Sequence, residues 1–338
     1  MHKAVISQIK KRLNVLFDTD TQFFAELVAG NEFKSYPVTQ ESFSQIGKHE
    51  KTHDNYVAID GGNNTLFSSS VFSLSTIRLC ACEIGKIAQI YTFFLIVQQT
   101  KSEFELALIP ADVVSETYLQ TIESEFIPST ISQNDADFKK QSGKIEMQTL
   151  VSFVRRMLEL HLASQFEFAL LDGSLEAKYE LEKRFMHSLF EKKQNILGLS
   201  KTSSLTTQNG VPASLYLSRL APFSSSSWLA HAMLKSDNFE ICFVKLHAKS
   251  QYVFRLDVPT CVDATDVCES LMTQSGDATF LGYPYGLVKA DELARISQEE
   301  LQFLRNRFLC SLDSLTRRQL EQIRTTKSAH SVLDTMKF

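Results

Sequence analysis

Tyr56-Val57-Ala58-Ile59-Asp60-Gly61-Gly62-Asn63-Asn64 is a short apolar run that delivers one carboxylate to a glycine pair. Val57 and Ile59 favour a strand, and the glycines predict its end, where a ligand or second stretch of chain can approach the backbone closely. Far downstream, Phe168-Ala169-Leu170-Leu171 stops in the same way at Asp172-Gly173-Ser174-Leu175. Two strands that end alike hold two carboxylates side by side. Like charges a few ångströms apart repel unless a cation lies between them, so Asp60 and Asp172 read first as a metal site. An aspartate before glycine is also common in ordinary turns, which would account for either residue alone.

Outward from Asp60, residues 65–82 and 86–98 alternate as strands around a turn at Glu83-Ile84-Gly85-Lys86, and residues 103–110 add a short strand. Residues 115–141 are acidic and polar and read as a helix plus a loose connection. Residues 144–165 place Met147, Leu150, Val151, Val154, Met157, Leu158 and His161 on one helical face. Residues 166–171 form the strand ending at Asp172. Ser174 is expected to cap a helix from Leu175 to Lys192, and residues 195–201 close the series as a strand ending on Lys201. The succession strand, strand, strand, helix, strand, helix, strand predicts an α/β fold. It is that of an RNase H-like mixed five-stranded sheet with flanking helices, whose first and fourth strands are neighbours, so that Asp60 and Asp172 meet. Beyond it, residues 239–247 and 251–257 read as strands, 263–274 as a helix, and Gly282–Leu287 as a turn. Helical additions are expected at both ends: an N-terminal arm and loop over 1–50, a core domain over 51–300 and a helical segment over 301–338.

The 338 residues and 43% hydrophobic content suffice for a real core. A formal charge of −4 gives no global basic signature, so a nucleic-acid contact requires a local basic groove. Arg155, Arg156, Arg219, Lys245, Lys249 and Arg255 are its candidates, although sequence does not put them on one face. The six cysteines, Cys80, Cys82, Cys242, Cys261, Cys268 and Cys310, show no CxxC pair or zinc-like spacing and read as reduced core thiols of a cytoplasmic protein. Met1–Phe24 is amphipathic, with Lys10-Lys11-Arg12 inside it, and lacks the apolar core of a signal peptide. No window approaches the roughly eighteen apolar residues of a membrane span.

Oxygen-only ligands suit magnesium or manganese, and two such ions can activate a water and stabilise the leaving oxygen of a phosphodiester. A third carboxylate is expected from the helix between the paired strands. Glu159 is the choice, although it projects away from the apolar stripe and is equally explained as a solvated partner of Arg155 four residues earlier. Glu146 lies nearer the stripe's edge, and the helical wheel leaves the two open. Lys201 closes the last core strand and is placed to neutralise a phosphate or orient a water, or is an ordinary strand-end lysine. Asp291, after the Tyr-Pro turn, is a further candidate ligand that an acidic first helical turn would also explain. His161, His231 and His247 lie in apolar surroundings and read as core histidines.

Ala58-Ile59-Asp60-Gly61-Gly62, the helix carrying Arg155, Arg156 and Glu159, Leu170-Leu171-Asp172-Gly173-Ser174-Leu175, Leu197-Gly198-Leu199-Ser200-Lys201 and Gly282-Tyr283-Pro284-Tyr285-Gly286-Leu287 follow one another in the order of the NurA nucleases. The likeness spans about residues 56–300, and order and spacing carry it more than any single motif. The resemblance implies an RNase H-like, manganese-dependent DNA nuclease with 5′ to 3′ exonuclease and single-strand endonuclease activity. It further implies a homodimer that works with a HerA-type hexameric ATPase in DNA end processing or defence. Asp60, Glu159 and Asp172 would be metal ligands and Lys201 a supporting residue. The chain departs from the family in carrying Asp291 where a histidine follows the Tyr-Pro motif. A sugar or acetate kinase relative also opens on an Asp-Gly loop, but its second glycine-rich nucleotide site is missing from a chain with twelve glycines. A catalytically idle DNA clamp or motor cap is the alternative from a different class; retention of both aspartates argues against it.

Overall fold

The computed structural model describes residues 5–11, 27–28, 34–35, 38–47, 56–123, 126–138, 145–192, 195–207, 210–223, 225–320 and 322. They form two compact units. The larger comprises the described residues of 56–172, 176–196 and 285 onward, and the smaller those up to 47, 173–175 and 197–284.

The larger unit is built on β1 (Val57–Ser68), β2 (Phe72–Cys82), β3 (Gln89–Gln99), β4 (Glu103–Pro110), β5 (Thr130–Ser132) and β6 (Phe168–Asp172). Its helices are α1 (Val113–Leu119), α2 (Met147–Ala163), α3 (Glu180–Glu191), α4 (Tyr285–Ala294) and α5 (Gln298–Ser311). The strand order is β5-β4-β3-β2-β1-β6, antiparallel throughout except that β6 runs parallel to β1. An antiparallel meander whose first strand takes a parallel neighbour after a crossover helix is the RNase H-like arrangement, here extended at one edge by β4 and β5. Ile59, Ile77, Leu79, Phe93 and Leu95 are fully buried, as are Leu150, Val151, Phe153, Val154, Met157 and Leu158 of α2. Each such side chain contributes about 1.5–3 kcal/mol by leaving water. A second cluster forms where Ile296 and Leu301 at the start of α5 pack on Leu66, Phe67 and Leu74.

In the smaller unit, β7 (Asn195–Ser200, from Leu197 on), β8 (Trp228–Lys235), β9 (Phe239–Lys245) and β10 (Phe254–Pro259) pair antiparallel in the order β7-β10-β9-β8. Lys34–Ser35 and Phe43–Gln45, within a stretch expected to be loop, pair with β8. Arg255 and Asp257 form a fully buried bidentate pair, and Asp257 also accepts the Leu175 amide at 2.7 Å.

Several sequence expectations are corrected. β1 does not end at Gly61-Gly62 but runs on to Ser68, pairing with β2 throughout. Ser174 caps no helix: α3 begins at Glu180, after Tyr179. Trp228–Lys235 is a strand that the sequence did not announce, and the expected Gly282–Leu287 turn gives way to α4 at Tyr285. Of the cysteines, all free, Cys261 and Cys310 are exposed and are not core thiols. In the expected N-terminal arm residues 5–11 are helical, and residues 12–26 lie outside the described residues. No described helix is long and apolar enough to cross a membrane.

Candidate functional site

β1 and β6 run in register through Val57 with Ala169, Ala58 with Leu170 and Ile59 with Leu171. One step further stand Asp60 and Asp172. A parallel pair carries equivalent side chains level with one another, so the two carboxylates emerge together. α4 brings a third. One carboxylate oxygen from each of Asp60, Asp172 and Asp291 lies within 4.8 Å of the others, and all three residues are half-buried.

The glycine pair explains how α4 comes so close. Successive residues of a strand face opposite sides of its sheet. A Cβ on Gly61 would strike Glu159 Oε1 of α2, and one on Gly62 would strike the carbonyl of Ala294 at the end of α4. Further contacts fasten the corner between α4 and α5 to the sheet. Asn64 Nδ2 donates to Ile296 O at 3.5 Å, Arg78 Nη1 donates to Arg295 O at 3.3 Å and to Glu300 Oε2 at 3.1 Å, and Arg78 Nη2 pairs with Glu300 Oε1. Arg305 donates to the carbonyls of Leu66 and Thr65 at 2.9 and 2.8 Å.

Three carboxylates so close leave their mark on Asp60. Its pKa is pushed up from 3.8 to about 7, mainly by burial and then by the charges of Glu159 and Asp172; the Gly61 amide, donating to Oδ1 at 2.8 Å, works the other way, and Asp291 adds a smaller push upward. Burial and the nearby thiol Cys82, with Asp60 behind them, also push Cys80 up to about 12. Such a site favours a proton or a cation.

Glu159 is not solvated as its place on the wheel suggested; it is 3% exposed. Arg155 Nη1 pairs with its Oε1, and Arg156 Nη1 lies 3.8 Å from its Oε2. Burial raises its pKa while the two guanidinium groups oppose the rise. Arg155 Nη1 also donates to Gly61 O at 2.7 Å, a link from α2 to the peptide beside Asp60 that the sequence reading missed. Arg156 Nε donates to Glu182 Oε1 at 3.0 Å, and Glu182 is 1% exposed. Glu159 therefore borders Asp60 but stands outside the group of three carboxylates. Glu146 sits at the N-cap of α2, thirteen residues and about 20 Å along the helix from Glu159. Lys201 belongs to the smaller unit, where its ammonium stands over the Tyr283 ring at 5.2 Å. Arg156, Arg255 and Lys245 are too enclosed to line a groove. The three histidines have local partners: Tyr118 Oη for His161 at 3.0 Å, Ser44 Oγ for His231 at 2.6 Å and the Lys249 amide for His247 at 3.2 Å.

Asp60, Asp172 and Asp291 offer oxygens alone, the donor set of hard divalent cations such as magnesium, manganese and calcium. Their number, closeness and the raised Asp60 fit such an ion.

Residues 223–296, a stretch that includes Asp291, match the NurA domain family. No curated protein matches the chain in sequence. In fold the chain is similar to the NurA nuclease from Sulfolobus solfataricus, with 15% identity, a TM-score of 0.50, and 91% of this chain and 93% of that one covered. Human endonuclease V aligns at 12% identity and a TM-score of 0.34 over 86% of this chain and 98% of that one. The Argonaute of A. aeolicus aligns at 12% identity and 0.28 over 73% and 28%.

Proposed function

We propose that the chain is a NurA-type, metal-dependent deoxyribonuclease whose ion is held by Asp60, Asp172 and Asp291, a reading that the match over residues 223–296 and the likeness in fold support. The observation that carries the reading is the meeting of these three carboxylates within 4.8 Å, on two parallel strands and a helix that approaches over Gly62. A bound manganese or magnesium ion supplies Lewis-acid stabilisation to a departing phosphodiester oxygen and makes a water easier to ionise.

The chain's own residues do the rest. The Gly61 amide orients Asp60, and Arg155 holds the Gly61 carbonyl and Glu159 together, so that β1 cannot shift against α2 beside the ligand. Glu159, a ligand by family resemblance, is assigned here the positioning of Asp60. The family resemblance gives Lys201 a supporting role. The family resemblance supports the finer parts of the proposal: single-strand endonuclease and 5′ to 3′ exonuclease activity on DNA, use of two ions with manganese preferred, a homodimer, a HerA-type hexameric ATPase as partner and a cytoplasmic location.

End-labelled single- and double-stranded DNA, incubated with manganese, magnesium or chelator, tests the proposal. Cleavage is expected with manganese, absent with chelator, and lost in Asp60→Ala, Asp172→Ala and Asp291→Ala. DNA retained on the protein but uncut under every metal, even with a HerA-type motor added, would replace the nuclease by an idle clamp.

A further inference from the structure

Three carboxylates that gather an ion also repel the phosphate they are to cut, so the site needs a cation that can meet the substrate. Arg155 is taken up by Glu159 and Gly61 O, Arg156 by Glu159 and Glu182, and Lys289 by Glu292 at 2.7 Å. Arg295 differs. Its Nη2 donates to Asp291 Oδ2, one hydrogen bond from the cluster, while its side chain remains 70% exposed. A guanidinium has five N–H donors in a planar fork suited to phosphate oxygens, and among the described residues one of them is used.

Its backbone is fixed as well. Arg295 N donates to Asp291 O at 3.0 Å, and Arg295 O accepts from Arg78. The side chain thus swings from an anchored point at the rim of the cluster.

Resting on the nuclease reading above, we propose that Arg295 is a substrate-binding residue that receives a non-bridging oxygen of the DNA phosphate entering the Asp60, Asp172 and Asp291 site. Without DNA it is parked on Asp291. Once a cation has neutralised Asp291, the pair loses most of its attraction and the fork is available to phosphate. Arg295 and the ion therefore compete for Asp291, which separates this role from a structural one. A residue that merely held Asp291 in place would be needed for metal affinity; a parked phosphate ligand weakens metal affinity slightly.

The test compares the full chain with Arg295→Gln and Arg295→Lys. Binding of fluorescent single-stranded DNA is followed by anisotropy in chelator and in calcium over a range of salt, and manganese affinity is measured by calorimetry without DNA. For Arg295→Gln, DNA affinity is expected to fall about tenfold and the slope of log affinity against log salt by about 0.7, one phosphate contact. Manganese affinity is expected to stay level or tighten, and KM for cleavage to rise more than kcat falls. Arg295→Lys is expected to restore the salt slope. Unchanged DNA affinity and slope in Arg295→Gln would overturn the assignment, as would weakened manganese binding with DNA affinity intact. If the unaltered protein binds DNA with the expected Arg295 dependence yet never cuts, the nuclease reading fails while the phosphate contact stands.

Discussion

Burial and the neighbouring carboxylates push Asp60 towards its neutral form, and its ionisation links metal to stability. Because its folded pKa, about 7, lies above its ordinary 3.8, the folded protein holds the proton more tightly than the unfolded chain. Its contribution to stability is complete below about pH 4 and is lost as pH rises through about 7. In chelator the melting temperature is therefore expected to fall between about pH 4 and 7, and manganese should flatten or reverse that fall, since a cation favours the ionised form. Equal slopes with and without manganese, measured by thermal melting, would remove Asp60 from the metal site. Glu159 makes the second prediction at this scale. Glu159→Gln leaves the Arg155 and Arg156 guanidinium groups facing a neutral amide in a dry place and should cost about 3 kcal/mol in urea unfolding. Asp60 and Asp172 were legible because each ends an apolar run at a glycine. The burial of Glu159 was not, because hydrophobic periodicity assigns charged residues to water and does not register that two arginines, at positions 155 and 156, can accompany a glutamate inside.

At the scale of elements, the meander and its parallel neighbour could be read because alternation in β2 and β3 and the apolar face of α2 are strong local signals. β8 could not. Trp228-Leu229-Ala230-His231-Ala232-Met233-Leu234-Lys235 mixes helix formers with no alternation, and becomes a strand through pairing on both sides, with a register shift between Ala230 and Leu234 and Ala232 at φ 34°. The glycine pair was misread for a related reason. Gly61 and Gly62 look like a strand end from sequence, yet they lie inside β1, where α2 and α4 each need a missing side chain. Gly62→Ala should therefore cost about 1–3 kcal/mol, since it meets the rigid carbonyl of Ala294. It should also weaken manganese binding by drawing α4, and Asp291 with it, away from Asp60. Calorimetric titration showing unaltered metal affinity in a destabilised Gly62→Ala protein would separate α4 from the site.

For the whole molecule, the family match and the metal geometry come from different parts of the chain. Residues 223–296 carry the match, whereas Asp60 and Asp172 lie well before it and only Asp291 falls within it. Fold similarity to the Sulfolobus solfataricus NurA nuclease extends over 91% of the chain. If the chain is the proposed nuclease and a HerA-type motor feeds it, adding the motor with ATP should speed loss of duplex DNA by the unaltered protein and leave DNA intact with Asp60→Ala, as gel analysis of labelled duplex would show. Stimulation of cutting in the Asp60→Ala mixture would place the active nuclease elsewhere.

The seating of α4 over Gly62 also sets a timetable. A ribosome releases Asp60 first, Asp172 long afterwards and Asp291 last of the three, and that last carboxylate reaches its place only when the corner between α4 and α5 closes on the first strand. A half-made chain therefore holds an incomplete set of ligands. On the nuclease reading proposed above, nascent polypeptides that have not yet released Asp291 carry no complete cutting centre.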